Sequence, residues 1–264
     1  MEPERLTSEE LALRRMAEEL RKKHGCLGMK MSTEDMGDSF EWIDIIANRV
    51  LSETLPVYVK IGGPNARNDL KQVHRFGLAG TIAPMVESPY ALKEYIVALR
   101  AVFPRNVLDN MLRGFNAETV LCYKNLGQML KIPEAKDLNH VSVGRGDLYR
   151  SMGKTWDDPE VLRMTKEMVE KVQAVGIPVS VASPTPESAQ RVAKTIKPDK
   201  VNAANVYISV KDAPDIHEAF KQGLIFENAL TQYRYSRVMQ EASTYEKIMS
   251  ARKTRMAGRE ADLQ

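Results

Sequence analysis

Asn116-Ala117-Glu118-Thr119 and, further along, Val141-Ser142-Val143-Gly144-Arg145-Gly146-Asp147-Leu148 decide how this chain is read. Each segment ends a short apolar run with one carboxylate, and a helical pattern follows at once. In a parallel α/β barrel, consecutive strands are neighbours and their C-terminal ends line one mouth. Glu118 and Asp147 are then expected to converge on one small volume. Two carboxylates with water-filled space between them suit a hard divalent cation such as Mg²⁺ or Mn²⁺.

Outward from these segments the chain alternates short apolar runs with helical periods. Strands are predicted at 26–31, 56–61, 81–83, 111–116, 140–143, 177–181 and 200–203. Helices are predicted at 39–53, from Gly62-Gly63-Pro64 to about residue 76, and at 90–102, 119–130, 159–175 and 186–195. Thr7-Ser8-Glu9-Glu10 reads as a capping box opening a helix that Gly25 stops. Near-continuous apolar strands alternating with helices indicate a parallel sheet covered on its outside. The expected fold is α/β, a TIM-like (β/α)8 barrel with an N-terminal helix (1–24) and an extended C-terminal helix. Seven strands are legible, so the eighth is either hidden near the N-terminus or missing from an imperfect barrel. No Gly-rich dinucleotide fingerprint favours an open sheet instead. A single domain, 1–264, is expected. The pattern over 224–250 reads as a long helix that joins subunits, and the charged segment 251–264 as a frayed or disordered tail.

A length of 264 residues is near the typical size of one such barrel. No apolar run is long enough to span a membrane. The start, Met-Glu-Pro-Glu-Arg, does not read as a secretory signal. Cys26 and Cys122 are the only cysteines, which fits a reducing, cytoplasmic setting without disulfides. A net charge of +3, with no basic patch interleaved with aromatics, argues against nucleic acid as a partner.

Four pieces now stand in order across roughly residues 26–205. They are Val59-Lys60-Ile61-Gly62-Gly63, Ala83-Pro84-Met85-Val86-Glu87, Asn116-Ala117-Glu118-Thr119, and Gly144-Arg145-Gly146-Asp147-Leu148 with Ser151-Met152-Gly153 behind it. In these the chain resembles the HpcH/HpaI aldolase and citrate lyase β-subunit superfamily, as a divergent member. The resemblance implies a modified TIM barrel that makes or breaks a C–C bond next to a carbonyl. It implies Glu118 and Asp147 as ligands of Mg²⁺ or Mn²⁺, which a 2-oxo acid chelates through its carboxylate and keto oxygens. The backbone amides after Gly144 would hold the substrate carboxylate, with Gly144 and Gly146 allowing close approach. Arg145, between the two glycines, would meet an anionic substrate.

Two departures follow from the same comparison. Many family aldolases carry an Arg, steadying the enolate oxyanion, on the strand that here holds Lys60; Lys supplies charge without a bidentate fork. The family's Asp-x-Glu-His segment has Thr33-Glu34-Asp35-Met36 as its counterpart, and Met36 cannot take a proton. The base is then either supplied otherwise, through Glu34 and a metal-bound water, or absent.

Plainer readings stand beside these. Glu118 also suits a helix start, Asp147 a turn cap, Lys60 a solvated rim and Arg145 the surface. The four histidines form no cluster. Three functions compete: a metal-dependent aldolase or lyase on a small 2-oxo acid, a CoA-thioester lyase of citrate or malyl type, and a non-catalytic barrel that keeps the metal site. A homo-oligomer, trimer or hexamer, is expected from the two-sided apolar pattern of the last helix and from the resemblance.

Overall fold

The computed structural model describes residues 6–261, and side chains as far as residue 250. Eight strands close a barrel in chain order. They are β1 (Cys26–Ser32), β2 (Val57–Lys60), β3 (Gly80–Ala83), β4 (Leu112–Ala117), β5 (His140–Val143), β6 (Val179–Ala182), β7 (Lys200–Asn202) and β8 (Val206–Ser209). From β1 to β7 every neighbouring pair is parallel. The eighth strand was expected near the N-terminus or not at all. It lies instead after β7 and runs antiparallel to both β7 and β1. Only Ala203, Ala204 and Asn205 separate β7 from β8. A parallel crossover needs a dozen residues or more, so this connection can only turn back as a hairpin.

The helices are α1 (Ser8–Lys23), α2 (Phe40–Asp44), α3 (Arg67–Arg75), α4 (Pro89–Val102), α5 (Arg105–Leu108), α6 (Val120–Met129), α7 (Arg145–Ser151), α8 (Pro159–Gln173), α9 (Pro186–Thr195) and α10 (Ile216–Ala261). The capping box of α1 forms as its sequence requires, Thr7 and Glu10 each serving the other's backbone N–H. The helix expected over 39–53 is α2 running into a π-helical turn, Ile45–Val50, where Leu51 N–H reaches back to Ile46 O at 2.8 Å. The core lies between barrel and helices, with Val59, Val141, Val143, Val179 and Val181 fully buried against it.

Inside the barrel the filling is polar rather than aliphatic. Ser180 Oγ donates to Ser142 Oγ at 3.0 Å, His140 Nε2 lies 3.4 Å from Ser180 Oγ, and Lys200 Nζ lies 3.3 Å from His140 Nδ1. The ring of Tyr207 on β8 meets His140 edge-on, with centroids 5.4 Å apart. Strands β5, β7 and β8 are brought together here across the lumen. Burial, then the charges of Lys200 and Lys30, hold the His140 imidazole well below its ordinary value, so it is neutral near pH 7.

Helix α10 starts earlier and ends later than its expected span of 224–250, and residues 251–261, expected as a frayed tail, continue it; residues 262–264 lie outside the described residues. Its first part packs on the barrel through Phe220, Phe226, Leu230 and Tyr233. Tyr233 donates to Glu10 Oε1 on α1 at 2.7 Å, and Arg49 pairs with the same carboxylate at 2.8 Å. Those partners hold the Glu10 carboxyl down at about 2. Beyond Ser236 the helix leaves the barrel, and Val238, Met239, Tyr245, Ile248 and Met249 are exposed. No helix among the described residues is long and apolar enough to cross a membrane.

Candidate active site

The C-terminal ends of β1, β2 and β4 to β7, with the turn into β8, line a cleft of about 380 Å³. It is lined by both predicted carboxylates, Glu118 and Asp147, and by Lys60, Gly144 and Gly146. A larger cavity, about 650 Å³, opens at the opposite end beside Lys200 and Asp199. That is the end at which barrels carry stability rather than chemistry.

Glu118 follows β4 and is almost completely buried. Its Oε1 accepts Met85 N–H at 2.8 Å and its Oε2 accepts Asn116 Nδ2–H at 2.9 Å. Met85 adopts a left-handed backbone, φ 51°, to present that N–H. Strain of this kind in a non-glycine residue persists only where its surroundings fix it. Burial raises the Glu118 carboxyl above its ordinary range, and the nearby charge of Asp147 adds to the rise. Glu118 therefore feels the charge of Asp147 across the cleft. Asp147 sits in the first turn of α7 and accepts from Arg150 at 2.8 Å. Gly144 is needed for close packing: an added Cβ would stand 2.8 Å from Glu118 Cβ and 2.9 Å from its Oε2. The approach that the glycine permits is to the carboxylate side chain.

Lys60 ends β2 and is 4% exposed, so it is no solvated rim lysine. Its Nζ lies 2.6 Å from Glu34 Oε2 and 3.0 Å from Asp35 Oδ2. Burial alone would lower this ammonium, but Glu34, Glu118 and Asp35 together raise it. It is a locked cation. Glu34, expected near the reacting centre, does come to the mouth, yet its carboxylate is committed to Lys60.

Arg145 is a correction. It was expected to meet an anionic substrate, but it does not line the cleft. The side chain is fully buried, against the end of β6 and the start of α9. Its Nε donates to Ala182 O at 2.8 Å, and its Nη2 reaches Ser188 Oγ at 2.9 Å and Ser183 Oγ at 3.3 Å. Trp156 stacks over the guanidinium, 5.0 Å from ring centroid to Cζ. Burial pushes this guanidinium down to about 10. The helix start at Gly144 turns the chain so that residue 145 faces inward to the helix layer, while 144, 146 and 147 face the mouth.

Three lining residues, Lys30, Asn202 and Glu227, were not singled out from the sequence, and Asp35 and Asn116 stood in quoted segments without a role. Lys30 is a charge inside the otherwise apolar run Met29-Lys30-Met31, and strand alternation puts it on the same face as Ser32, which pairs in register with Lys60. That was a usable signal. Glu227 lies on α10 and accepts the N–H groups of Asn205 and Val206 at 2.7 and 2.8 Å, which fastens the β7–β8 turn. Nothing near the turn in sequence announces it.

No group of three or more His, Cys, Asp or Glu side chains arranged to hold a metal occurs among the described residues. Four carboxylates line the mouth; Asp35 pairs with Lys60 and Glu227 holds the β7–β8 turn, which leaves Glu118 and Asp147 as the donor set. That fits a hard cation that keeps several waters, as Mg²⁺ does, and does not fit a closed zinc cage.

The sequence matches no family model and no curated protein. Solved structures do match. An HpcH/HpaI aldolase/citrate lyase family protein from Burkholderia cenocepacia J2315 is 13% identical, with a TM-score of 0.62 over 85% of this chain and 90% of that one. An HpcH/HpaI aldolase from Desulfitobacterium hafniense DCB-2 is 14% identical, with a TM-score of 0.61 over 75% of this chain and 83% of that one. The citrate synthase SbnG is 15% identical, with a TM-score of 0.59 over 88% of this chain and 90% of that one. At such identities the likeness speaks for architecture, and architecture alone does not carry an activity. This chain has the barrel fold of the HpcH/HpaI aldolase and citrate lyase proteins.

Proposed function

We propose that the protein is a carbon–carbon lyase that makes or breaks a bond of a small 2-oxo acid through an enolate, with Mg²⁺ or Mn²⁺ held by Glu118 and Asp147. The observation that carries the reading is the meeting of these two carboxylates with the buried cation Lys60 in one cleft at the strand ends. The structural neighbours named as aldolases and as a citrate synthase lend support from the fold. When bound, the ion supplies positive charge where the keto oxygen becomes negative. The chain's own residues do the rest. Asn116 and the Met85 amide orient the Glu118 carboxylate. Glu34 and Asp35 keep Lys60 protonated and fixed, and an ammonium has three donors, so one remains for the oxyanion. Gly144 leaves room for the Glu118 side chain, and Gly146 lines the same wall of the cleft. The exposed apolar stretch of α10 supports assembly with further copies of this chain.

The test is exchange of the C3 protons of pyruvate for deuterium, followed by NMR in D₂O. Exchange with Mg²⁺ that stops in EDTA is expected. Exchange that continues in EDTA overturns the metal, and cleavage of an acyl-CoA without pyruvate exchange overturns the substrate class.

A further inference from the structure

The cleft contains two lysines in opposite circumstances. Lys60 is held by Glu34 and Asp35. Lys30, on the adjacent strand, lines the same cleft, and among the described residues its amine meets Asp35, Glu118 and Glu227 only through their charge, with no side-chain hydrogen bond to any of them. Every other titratable group of the lining is committed. Glu118 accepts from Met85 and Asn116, Asp147 pairs with Arg150, Asp35 pairs with Lys60, and Glu227 accepts two backbone amides. No histidine lines the cleft. Among the titratable groups of the lining, Lys30 is the one whose charged end has no hydrogen-bonded or ion-paired partner among the described residues.

We propose that Lys30 is the proton-transferring group of this cleft, a role that rests on the 2-oxo acid reading above. The neutral amine takes a proton from the carbon next to the keto group. The C–H pair becomes the C=C bond, and the carbonyl π pair moves to the oxygen, giving the enolate. In the reverse sense the ammonium returns the proton to that carbon after C–C cleavage, so nothing is oxidised or reduced. Lys60 from β2, Asp35 from the β1 loop, Glu118 from β4 and Glu227 from α10 all face the amine electrostatically. Burial, then the like charge of Lys60, lowers the Lys30 ammonium from its ordinary value, and the three carboxylates only partly oppose this. A catalytic lysine is tuned in this way by burial and a neighbouring cation.

Pyruvate C3 exchange with Mg²⁺ is again the readout, with Mn²⁺ affinity measured alongside. Lys30→Met is expected to slow exchange by about 100-fold or more while Mn²⁺ binding is kept. Lys30→Cys is expected to be equally slow and to recover on treatment with 2-bromoethylamine, which restores an amine at nearly the same reach. Cys26 and Cys122 are buried, and treated wild-type protein controls for them. The new amine is less basic than lysine, so the acid limb of the pH–rate profile should move to lower pH. Wild-type exchange in Lys30→Met overturns the role, as does recovery with an unmoved limb. Parallel loss of exchange and Mn²⁺ affinity overturns it in favour of a structural part. A borohydride-trapped pyruvate adduct on Lys30 overturns it in favour of a nucleophile. No exchange in the wild-type protein overturns the enolate reading itself, and the role of Lys30 falls with it.

Discussion

At the residue scale the two acids of the mouth are unequal. Glu118 is buried and oriented by two donors, whereas Asp147 is partly exposed and shared with Arg150. Glu118→Gln and Asp147→Asn should each abolish Mg²⁺-dependent turnover while the thermal midpoint of the metal-free protein stays near the wild-type value; full activity of either variant would refute the metal site. Lys60→Met should lower kcat by about 10²–10³, the usual loss of one oxyanion donor, with little change in Mn²⁺ affinity measured by titration. Arg145 belongs to a different class. Arg145→Met leaves Ser183, Ser188 and Ala182 O without a donor, and a destabilisation of about 2–3 kcal/mol is expected in chemical denaturation, with KM unchanged.

At the scale of elements, the β7–β8 hairpin and α10 hold the barrel shut. Glu227 on α10 fastens the turn, and Glu10 joins α1 to α10 through Tyr233 and to the π-helical turn through Arg49. The Glu10 carboxyl is lowered from 4.5 to about 2, first by its hydrogen bond with Arg49. A depressed carboxyl contributes its full stability above the unfolded value and loses it as pH falls through the folded one. The stability gap between wild type and Glu10→Gln should therefore be widest above pH 4.5, at about 2 kcal/mol, and close as pH falls towards 2. A gap that does not change over that range in urea titrations would show that Glu10 acts by shape alone.

At the scale of the whole molecule, α10 extends well past the barrel it helps to close. Forty-six residues of helix span about 70 Å, and between residues 238 and 249 it carries Val238, Met239, Tyr245, Ile248 and Met249 exposed. A helix with this pattern needs a second partner, and another copy of the chain is the expected one. Light scattering at micromolar concentration should give a mass at least twice 29.8 kDa for the intact chain. Truncation after Ser236, which keeps the packed half, should give the monomer; a monomeric intact chain would refute the assembly.

The local chemistry of the chain was enough for most of the barrel. Strands β1 to β7 are short apolar runs bounded by turns, α1 carries its own cap, and Glu118, Asp147 and Lys60 stand at strand ends, where direction follows from period and topology. Those features depend on neighbours in sequence. What escaped depends on neighbours in space. Strand β8 was hidden because its direction is set by a connection too short for a crossover and by the gap left between β7 and β1. Arg145 was assigned to the mouth because its neighbours face it, but the helix turn at Gly144 sends its side chain into the layer behind. Lys30 gains its meaning from what does not reach it, which only the assembled cleft decides: Glu34 and Asp35 are spent on Lys60, and Glu227 arrives from the far end of the chain. Sequence thus determined the elements and the identity of the charges. Tertiary structure decided which charges are paired, which are dry and which one is left free, because Coulomb energy and desolvation depend on distance and burial rather than on order along the chain.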